Sequence, residues 1–427
     1  NYMKLTKYNA RNGEMIKILF EETSDKYVEP MHGLIFFEDD PDMFIWTTRK
    51  DGWNHLYLYD TQGAKIKQLT NGVWEVTDFD GLSKVGYNIF FSATEQNPIE
   101  RHYYKIDLDR YEMTRITNGT GTHKVVRNEK GNMFLDVFSN LDVPYEVSVL
   151  DKDGEKLRTV YTAPNPFDGY NTGKTEIFTL KSSDGYDLYC RKILPPGFNE
   201  NNKYPVLLYV YGGPHVQRIT NHWLGGTKEV LWLNYMAQIG YIIFTLDNRG
   251  SSNRGLDFEQ KIFRHLGTIE IEDQMVGVNY LKSLSYVDTT RMGVYGWSYG
   301  GFMTTSLMTR TPGVFKVGVA GGAVIDWQYY EVMYTERYMD TPLQNPDGYQ
   351  EANLLNYVKD LKGKLLQVHG TSDPTVVWQH TLLFAQKAMQ LGIDIDYFPY
   401  VGHKHGVKGN DKFHLYQKIT NYFDENL

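Results

Sequence analysis

Short aromatic and β-branched runs with turn residues between them fill the first 165 or so positions of the chain. Phe44-Ile45-Trp46, Ile89-Phe90-Phe91 and Met133-Phe134-Leu135 begin 45 and 44 positions apart. Each is followed by a polar stretch and a second strand-like run, Leu56 to Asp60, Tyr103 to Asp107 and Tyr145 to Asp151. The phrases Leu69-Thr70-Asn71-Gly72 and Ile116-Thr117-Asn118-Gly119 recur 47 positions apart. A small sheet of this length cannot bury both faces alone, so a period of about 40–50 residues with several strands and Asn-Gly turns predicts blades of a β-propeller. The strands alone would also suit a β-sandwich, but the repeats agree in order as well as spacing, which favours the propeller. About three blades fit before residue 165, fewer than the ~4–8 of closed propellers, so further blades are expected to precede residue 1.

After residue 173 the pattern changes. Tyr204 to Tyr211, Tyr241 to Asp247, Met292 to Gly296, Val317 to Ala320 and Lys364 to His369 are nearly continuous apolar runs bounded by Gly, Pro or Asp. Helical stretches such as Ile269 to Leu284 lie between them. Strands apolar on both faces with helical crossovers predict a mostly parallel, doubly wound α/β sheet. Phe413, Leu415, Tyr416, Ile419 and Phe423 recur at helical spacing, so Lys412 to Phe423 is expected to be a closing amphipathic helix. The expected boundary between the two regions is 165/166.

Composition narrows the class. A chain of 427 residues has room for two to three domains, and 41% hydrophobic against 22% charged residues excludes a largely disordered protein. Lys and Arg total 44 against 52 Asp and Glu, a net charge of −8 with no basic block, which argues against nucleic acid as a partner. Cys190 stands alone, so neither an intrachain disulfide framework nor a thiolate metal cluster is available. No apolar run reaches the ~18 residues of a membrane span. The chain opens on Asn1, with no initiator Met and no apolar signal core.

The candidate chemistry lies in the second region. Gly296-Trp297-Ser298-Tyr299-Gly300 fits Gly-x-Ser-x-Gly between a strand and a helix, where flanking glycines permit a sharp turn that exposes the serine at the sheet's C-terminal edge. A hydroxyl is a weak nucleophile that needs a base and a group to orient the base, in the chain order Ser, Asp, His for this arrangement. Asp373, in His369-Gly370-Thr371-Ser372-Asp373, and His405, in Gly402-His403-Lys404-His405-Gly406, follow later strands in that order. His403 and His405 could pair on a metal, but no Cys or clustered carboxylates complete such a site, and no cofactor is expected. His369 reads as a structural histidine. Donors for a developing oxyanion are expected from the Tyr299 backbone N–H and from the loop Tyr211-Gly212-Gly213-Pro214, where Tyr211 is either a hydroxyl donor or a packed strand-end aromatic.

Taken together, Tyr-Gly-Gly-Pro at 211–214, Asp247-Asn248-Arg249-Gly250-Ser251, Gly-Trp-Ser-Tyr-Gly-Gly at 296–301, His-Gly-x-x-Asp at 369–373 and His405 resemble the prolyl oligopeptidase clan of serine peptidases. Within it, the chain resembles the dipeptidyl peptidase IV branch, in which a propeller accompanies an α/β-hydrolase domain. The resemblance implies Ser298 as nucleophile, His405 as general base, Asp373 as its orienting carboxylate, and an oxyanion hole from Tyr211 and Tyr299. It also implies an aromatic slot for proline, with alanine second, lined by Tyr299, Val324, Trp327, Tyr330, Tyr334 and Val376. Two departures matter. Thr375 stands where the branch usually has an Asn that helps hold the substrate carbonyl, and the run Asp373 to His380, with Tyr330-Glu331, Asp340 to Gly348 and Glu351 to Leu355, looks closer to the bacterial prolyl tripeptidyl aminopeptidases. There a glutamate matching Glu331 receives the substrate's free N-terminus; the plainer alternative is a solvated helix carboxylate. Glu21-Glu22 superficially matches the family's ammonium-binding pair but reads as a turn or edge-strand pair.

The expectation is therefore a serine exopeptidase that releases short N-terminal peptides after proline, with tripeptides favoured. Dipeptidyl peptidase IV or acylaminoacyl peptidase specificity, and an inactive propeller–hydrolase binding protein, are the rivals. Its expected partners are peptides with proline at the penultimate or third position. By resemblance, a homodimer built on the C-terminal helix region and a periplasmic or cell-surface location in a bacterium are implied.

Overall fold

The computed structural model describes residues 1–37, 40–83, 87–227 and 229–427. The chain forms two compact units: Asn1–Asp168 with Thr220–Gly226 and Ser252–Phe258, and Gly169–Ile219 with Thr227–Ser251 and Glu259–Leu427. The two short returns join the first unit through hydrogen bonds such as Thr122 Oγ1 to Asn221 O (3.0 Å), Asn221 Nδ2 to Glu100 Oε1 (2.8 Å) and Leu256 N to Gly52 O (2.8 Å). No shift in composition marks them.

The first unit is all β. A hairpin, Tyr2–Tyr8 with Met15–Thr23, precedes three four-stranded antiparallel meanders. The second strands of these sheets are Met43–Thr48, Asn88–Ala93 and Met133–Ser139, and the third are His55–Asp60, His102–Asp107 and Glu146–Asp151. The repeat noticed in the sequence has a hydrogen-bonding basis. Each third strand ends on an aspartate that caps the next turn: Asp60 accepts from the Gln62 and Ala64 amides, Asp107 from Asp109 and Arg110, and Asp151 from Asp153 and Glu155. In the first two sheets the Thr of the shared phrase receives both a histidine nitrogen and the next strand amide. Thr70 takes His55 at 3.0 Å and Leu56 N at 2.9 Å; Thr117 takes His102 at 3.3 Å and Tyr103 N at 3.0 Å.

Alternation sends successive residues to opposite faces, and both faces are buried. Phe44, Trp46, Tyr57 and Tyr59 pack on Leu5, Leu19 and Phe20 of the hairpin, whereas Ile45, Leu56 and Leu58 pack on Ile89, Phe91 and Tyr104 of the next sheet. Phe90 and Tyr103 in turn meet Phe134 and Leu150 of the third. These small sheets are thus stacked, as the repeat period requires. Glu21 and Glu22 lie on the second strand of the hairpin; Glu22 accepts from Trp46 Nε1 (3.0 Å) and Thr48 Oγ1 (2.7 Å).

The second unit is an eight-stranded mixed sheet with helices. Along the chain its strands are Thr175–Lys181, Asp187–Ile193, Tyr204–Tyr209, Ile242–Leu246, Val287–Trp297, Val317–Gly321, Lys364–Gly370 and Asp396–Tyr400, in spatial order 1-2-4-3-5-6-7-8. The second strand runs antiparallel to its neighbours and the remaining pairs are parallel. The first two strands carry charged residues among apolar ones, so the continuous-apolar signal that marks the inner strands does not mark them. Parallel strands deliver their C-terminal ends to one edge, so Tyr211, Asp247, Ser298, Val324, Asp373 and His405 all follow strands that end there.

The closing helix spans Asn410–Asn426 and buries Leu415, Ile419 and Phe423, while Trp232 stacks on Tyr416 at 5.4 Å. Phe413, expected on that buried stripe, is 76% exposed. Among the described residues no helix is long and apolar enough to cross a membrane.

Candidate active site

The strand Val287–Trp297 turns into the helix Tyr299–Arg310 through Ser298, which holds φ 64° and ψ −120°. A non-glycine residue in this region is strained and persists only where its surroundings impose it. Here they do. A Cβ on Gly296 would lie 2.3 Å from the Gly300 carbonyl oxygen, and one on Gly300 would lie 2.4 Å from that of Val210, so only glycine fits on either side. The Ser298 amide donates to Gly321 O at 2.8 Å, which ties the turn to the next strand.

Asp373 is buried beside this edge. Its Oδ1 accepts from the Thr375 and Val376 amides at 2.9 and 3.0 Å, and its Oδ2 lies 2.7 Å from His405 Nδ1. Burial works to raise the Asp373 pKa, but the His369 and His405 bonds and the Thr375 amide outweigh it and hold the carboxyl well below the usual carboxylate range. An ionised acceptor on Nδ1 puts the imidazole proton there and leaves Nε2 free to act as a base. Trp297 Nε1 donates to His405 O at 2.8 Å, which fixes the histidine loop against the residue preceding Ser298. Among the described residues the His405 ring bonds Asp373 and not Ser298, and the Ser298 side chain works to lower the Tyr211 pKa. Such nucleophile–base bonds commonly tighten only when substrate is bound.

His369 is a buried structural residue: Nδ1 meets Thr381 Oγ1 at 2.6 Å and Nε2 meets Val376 O at 2.8 Å. His403 pairs with Asp411 at 2.8 Å. Among the described residues no group of three or more His, Cys, Asp or Glu side chains could hold a metal ion.

The two candidate oxyanion donors converge on Ser298. The Tyr299 amide opens a helix whose first eleven residues are all buried, and the helix N-terminus favours negative charge. The Tyr211 phenol, on the other loop, interacts with the Ser298 side chain, which works to lower the Tyr211 pKa. Gly213 makes that approach feasible, because a Cβ there would lie 2.8 Å from both Tyr211 Cε1 and Tyr299 Cγ. The neighbouring motif Asp247-Asn248-Arg249 clasps this loop: Asn248 Nδ2 donates to Gly212 O at 3.0 Å, and Asp247 accepts from the Arg218 and Ile219 amides at 2.8–3.0 Å. Full burial pushes the Asp247 carboxyl up to about 6 despite those amides. Arg249 closes the base of the clasp through a buried fork to Asp273.

Aromatic rings line the expected specificity slot. Trp327 meets Tyr299 and Tyr330 at 5.4 Å each and stacks on Tyr334 at 6.0 Å, and Tyr330 meets Tyr334 at 5.3 Å. Val324 and Val376 are buried. Val376 is tied to Asp373 and His369, and the Val324 segment is held by His380, whose Nδ1 accepts from Ile325 N at 3.1 Å. Burial drives the His380 pKa down to about 4, consistent with a neutral acceptor. Below the slot, Tyr299 Oη donates to the fully buried Glu270 at 2.5 Å, and burial pushes Glu270 up to about 7.

Glu331 is not arranged as a free carboxylate. It caps the helix Val332–Met339, accepting from Met333 N at 2.9 Å on one oxygen and Tyr334 N at 2.8 Å on the other. Each Glu331 oxygen keeps a further lone pair beyond these amide bonds, so the cap is compatible with the expectation that Glu331 also receives a substrate ammonium. Sequence reasoning assigned no role to Arg218, Glu270 or His380, whose partners Tyr211, Tyr299 and Ile325 lie 7, 29 and 55 positions away in the chain. Asp247, Asn248 and Arg249 lie in a motif that the sequence singles out without giving them a role.

Residues 230–427 match the model of the prolyl oligopeptidase family, and residues 1–145 match that of the dipeptidyl peptidase IV N-terminal region. Dipeptidyl peptidase 4 of Trichophyton equinum is 30% identical over 403 residues, 92% of this chain and 52% of that protein. Among solved structures, that of a candidate dipeptidyl aminopeptidase IV of Bacteroides ovatus matches with a TM-score of 0.95 and 43% identity, over 100% of this chain and 63% of its own. Dipeptidyl peptidase 4 of Porphyromonas gingivalis matches with a TM-score of 0.93 and 30% identity, over 100% of this chain and 60% of its own. The chain spans about half the length of the curated relatives it matches.

Proposed function

We propose, from the matches of residues 230–427 to the prolyl oligopeptidase family and of residues 1–145 to the dipeptidyl peptidase IV N-terminal region, that the intact protein is a serine exopeptidase of that family that releases dipeptides ending in proline from peptide N-termini. The observation that carries this reading is the 2.7 Å bond from buried Asp373 to His405 beside the strained Ser298 turn. His405 Nε2 takes the Ser298 proton as Oγ attacks the carbonyl, and the carboxylate steadies the imidazolium. The Tyr299 amide and Tyr211 hydroxyl receive the tetrahedral oxyanion. His405 then protonates the leaving amine, and water repeats the sequence on the acyl-enzyme. The aromatic slot suits a flat pyrrolidine ring and disfavours charged side chains.

Dipeptide release replaces the tripeptidyl expectation because the similar proteins are named dipeptidyl peptidases. Glu331, the residue that favoured tripeptides, already serves as a helix cap. The complete Ser298–Asp373–His405 set argues against an inactive scaffold. The stacked four-stranded sheets support a propeller assignment for the first unit. A homodimer and a periplasmic or surface location remain the expectations that the resemblance supplies.

Mass spectrometry of products from X-Pro-X-X and X-X-Pro-X peptides tests the reading. Dipeptides from the first and no cleavage of the second are expected, and tripeptides released from the second would refute it. Fluorophosphonate labelling that persists in Ser298→Ala would refute the nucleophile.

A further inference from the structure

The Tyr211 hydroxyl is poorly placed to be a strong hydrogen-bond donor on its own. Its phenol is partly buried, and desolvation raises its pKa, which weakens the O–H as a donor. One group opposes this from close range. The Arg218 guanidinium carbon lies over the Tyr211 ring, 4.6 Å from its centroid. A cation over the face of a phenol stabilises the electron density that accumulates on the ring as its hydroxyl gives up hydrogen-bond charge.

Arg218 is anchored for this position through its backbone. Its amide donates to both oxygens of Asp247 at 2.9 and 3.0 Å, the next amide, Ile219 N, donates at 2.8 Å, and its carbonyl accepts from Arg191 Nη1 at 3.4 Å. The side chain is less committed. Among the described residues Arg218 Nε is buried without a hydrogen-bond partner, so a carboxylate does not quench its charge at that atom. The guanidinium is therefore presented to the ring by a backbone clasped to the buried Asp247.

The geometry points to Arg218 as a positioning residue that acts through Tyr211, strengthening the bond its hydroxyl gives to the tetrahedral oxyanion. This role rests on the proposed peptidase reading and adds to it a cation that need not touch substrate. Attraction between the cation and the oxyanion grows as negative charge develops, so the benefit belongs to the transition state more than to substrate binding.

The test is a double-mutant cycle in the intact protein with a Gly-Pro amide substrate. Arg218→Met should lower kcat about three- to thirtyfold, the factor a desolvated cation–π contact is worth, with KM within about twofold. Arg218→Lys should recover most of the loss. In the Tyr211→Phe background the same Arg218→Met change should cost less than about twofold, because the hydroxyl it serves is gone. An equal loss in both backgrounds, or a loss confined to KM, would overturn the role. If Arg218→Met does not fold, Arg218→Lys and Arg218→Gln carry the comparison: a higher kcat for the lysine supports the role and equal rates refute it. Fluorophosphonate labelling of wild type and of Ser298→Ala is run alongside. Absence of Ser298-dependent labelling refutes the peptidase reading itself, whereas normal labelling without Tyr211-dependence refutes only Arg218.

Discussion

Replacing Asp373 by Asn changes the molecule at one atom, and the structure dictates what that atom does. The Thr375 and Val376 amides donate to Oδ1 at 2.9 and 3.0 Å. In Asp373→Asn they hold the amide oxygen in that place, so the –NH₂ group must occupy the Oδ2 position, 2.7 Å from His405 Nδ1. A donor facing Nδ1 forces that nitrogen to be an acceptor and moves the imidazole proton to Nε2. The base is then blocked at the atom that must take the Ser298 proton. Loss of the correct tautomer and of the charge that steadies the imidazolium should lower kcat by about 10⁴, while the fold keeps its two amide bonds. Asp373→Ala is the contrasting change: it leaves the buried Val376 amide and the part-buried Thr375 amide without an acceptor and should also destabilise the protein, by about 1–3 kcal/mol for the buried one. Steady-state hydrolysis of a Gly-Pro chromogenic amide, with melting temperatures measured on the same samples, separates the two effects. An Asp373→Asn kcat within about tenfold of wild type, with folding intact, would refute the tautomer argument.

Three further outcomes follow from the same contacts. Glu331→Ala removes a helix cap and should destabilise the protein by about 0.5–2 kcal/mol without changing the length of the released peptide; a switch in product length by mass spectrometry would instead identify Glu331 as a substrate anchor. Gly300→Ala would set a Cβ 2.4 Å from the Val210 carbonyl oxygen, so the Ser298 turn cannot close, and fluorophosphonate labelling should disappear; normal labelling would contradict this. Burial raises Glu270 to about 7 and Asp247 to about 6, above their unfolded values of about 4.3 and 3.9. The stability each contributes is therefore whole below those lower values and is lost as pH rises through about 6–7, by up to about 4 kcal/mol for Glu270. Glu270→Gln should flatten the upper part of that fall in calorimetric melts between about pH 4 and 7, and an unchanged slope would exclude the assignment.

The elements that could be read from the chain are those whose signal is local. Ile242–Leu246 is buried at every position and reads as a continuous apolar run, because both faces of an inner parallel strand are covered. The blade period was visible because Asp60, Asp107 and Asp151 each cap a turn within four residues of themselves. Thr175–Lys181 and Asp187–Ile193 escaped notice because an antiparallel edge pair carries Lys, Glu and Asp among its apolar residues. Phe413 was misplaced by periodicity alone, since a helical stripe is wider than the surface available to bury it.

The candidate site divides along the same line. Ser298, Asp373 and His405 each sit in a short phrase at the end of an apolar run, so order and spacing suffice to nominate them. Arg218, Glu270 and His380 act by reaching across the sheet edge to Tyr211, Tyr299 and Ile325. Their partners are 7, 29 and 55 positions away in the chain, and neither charge nor hydropathy at their own positions marks them. What they share is physical: each is a polar or charged group placed against a residue in, or next to, the candidate oxyanion hole or specificity slot. A motif such as Asp247-Asn248-Arg249 then has a structural explanation apart from family resemblance. Its aspartate and asparagine fix the backbone of the Tyr211 loop from Gly212 to Ile219, so a change there should disturb oxyanion stabilisation before it disturbs the serine.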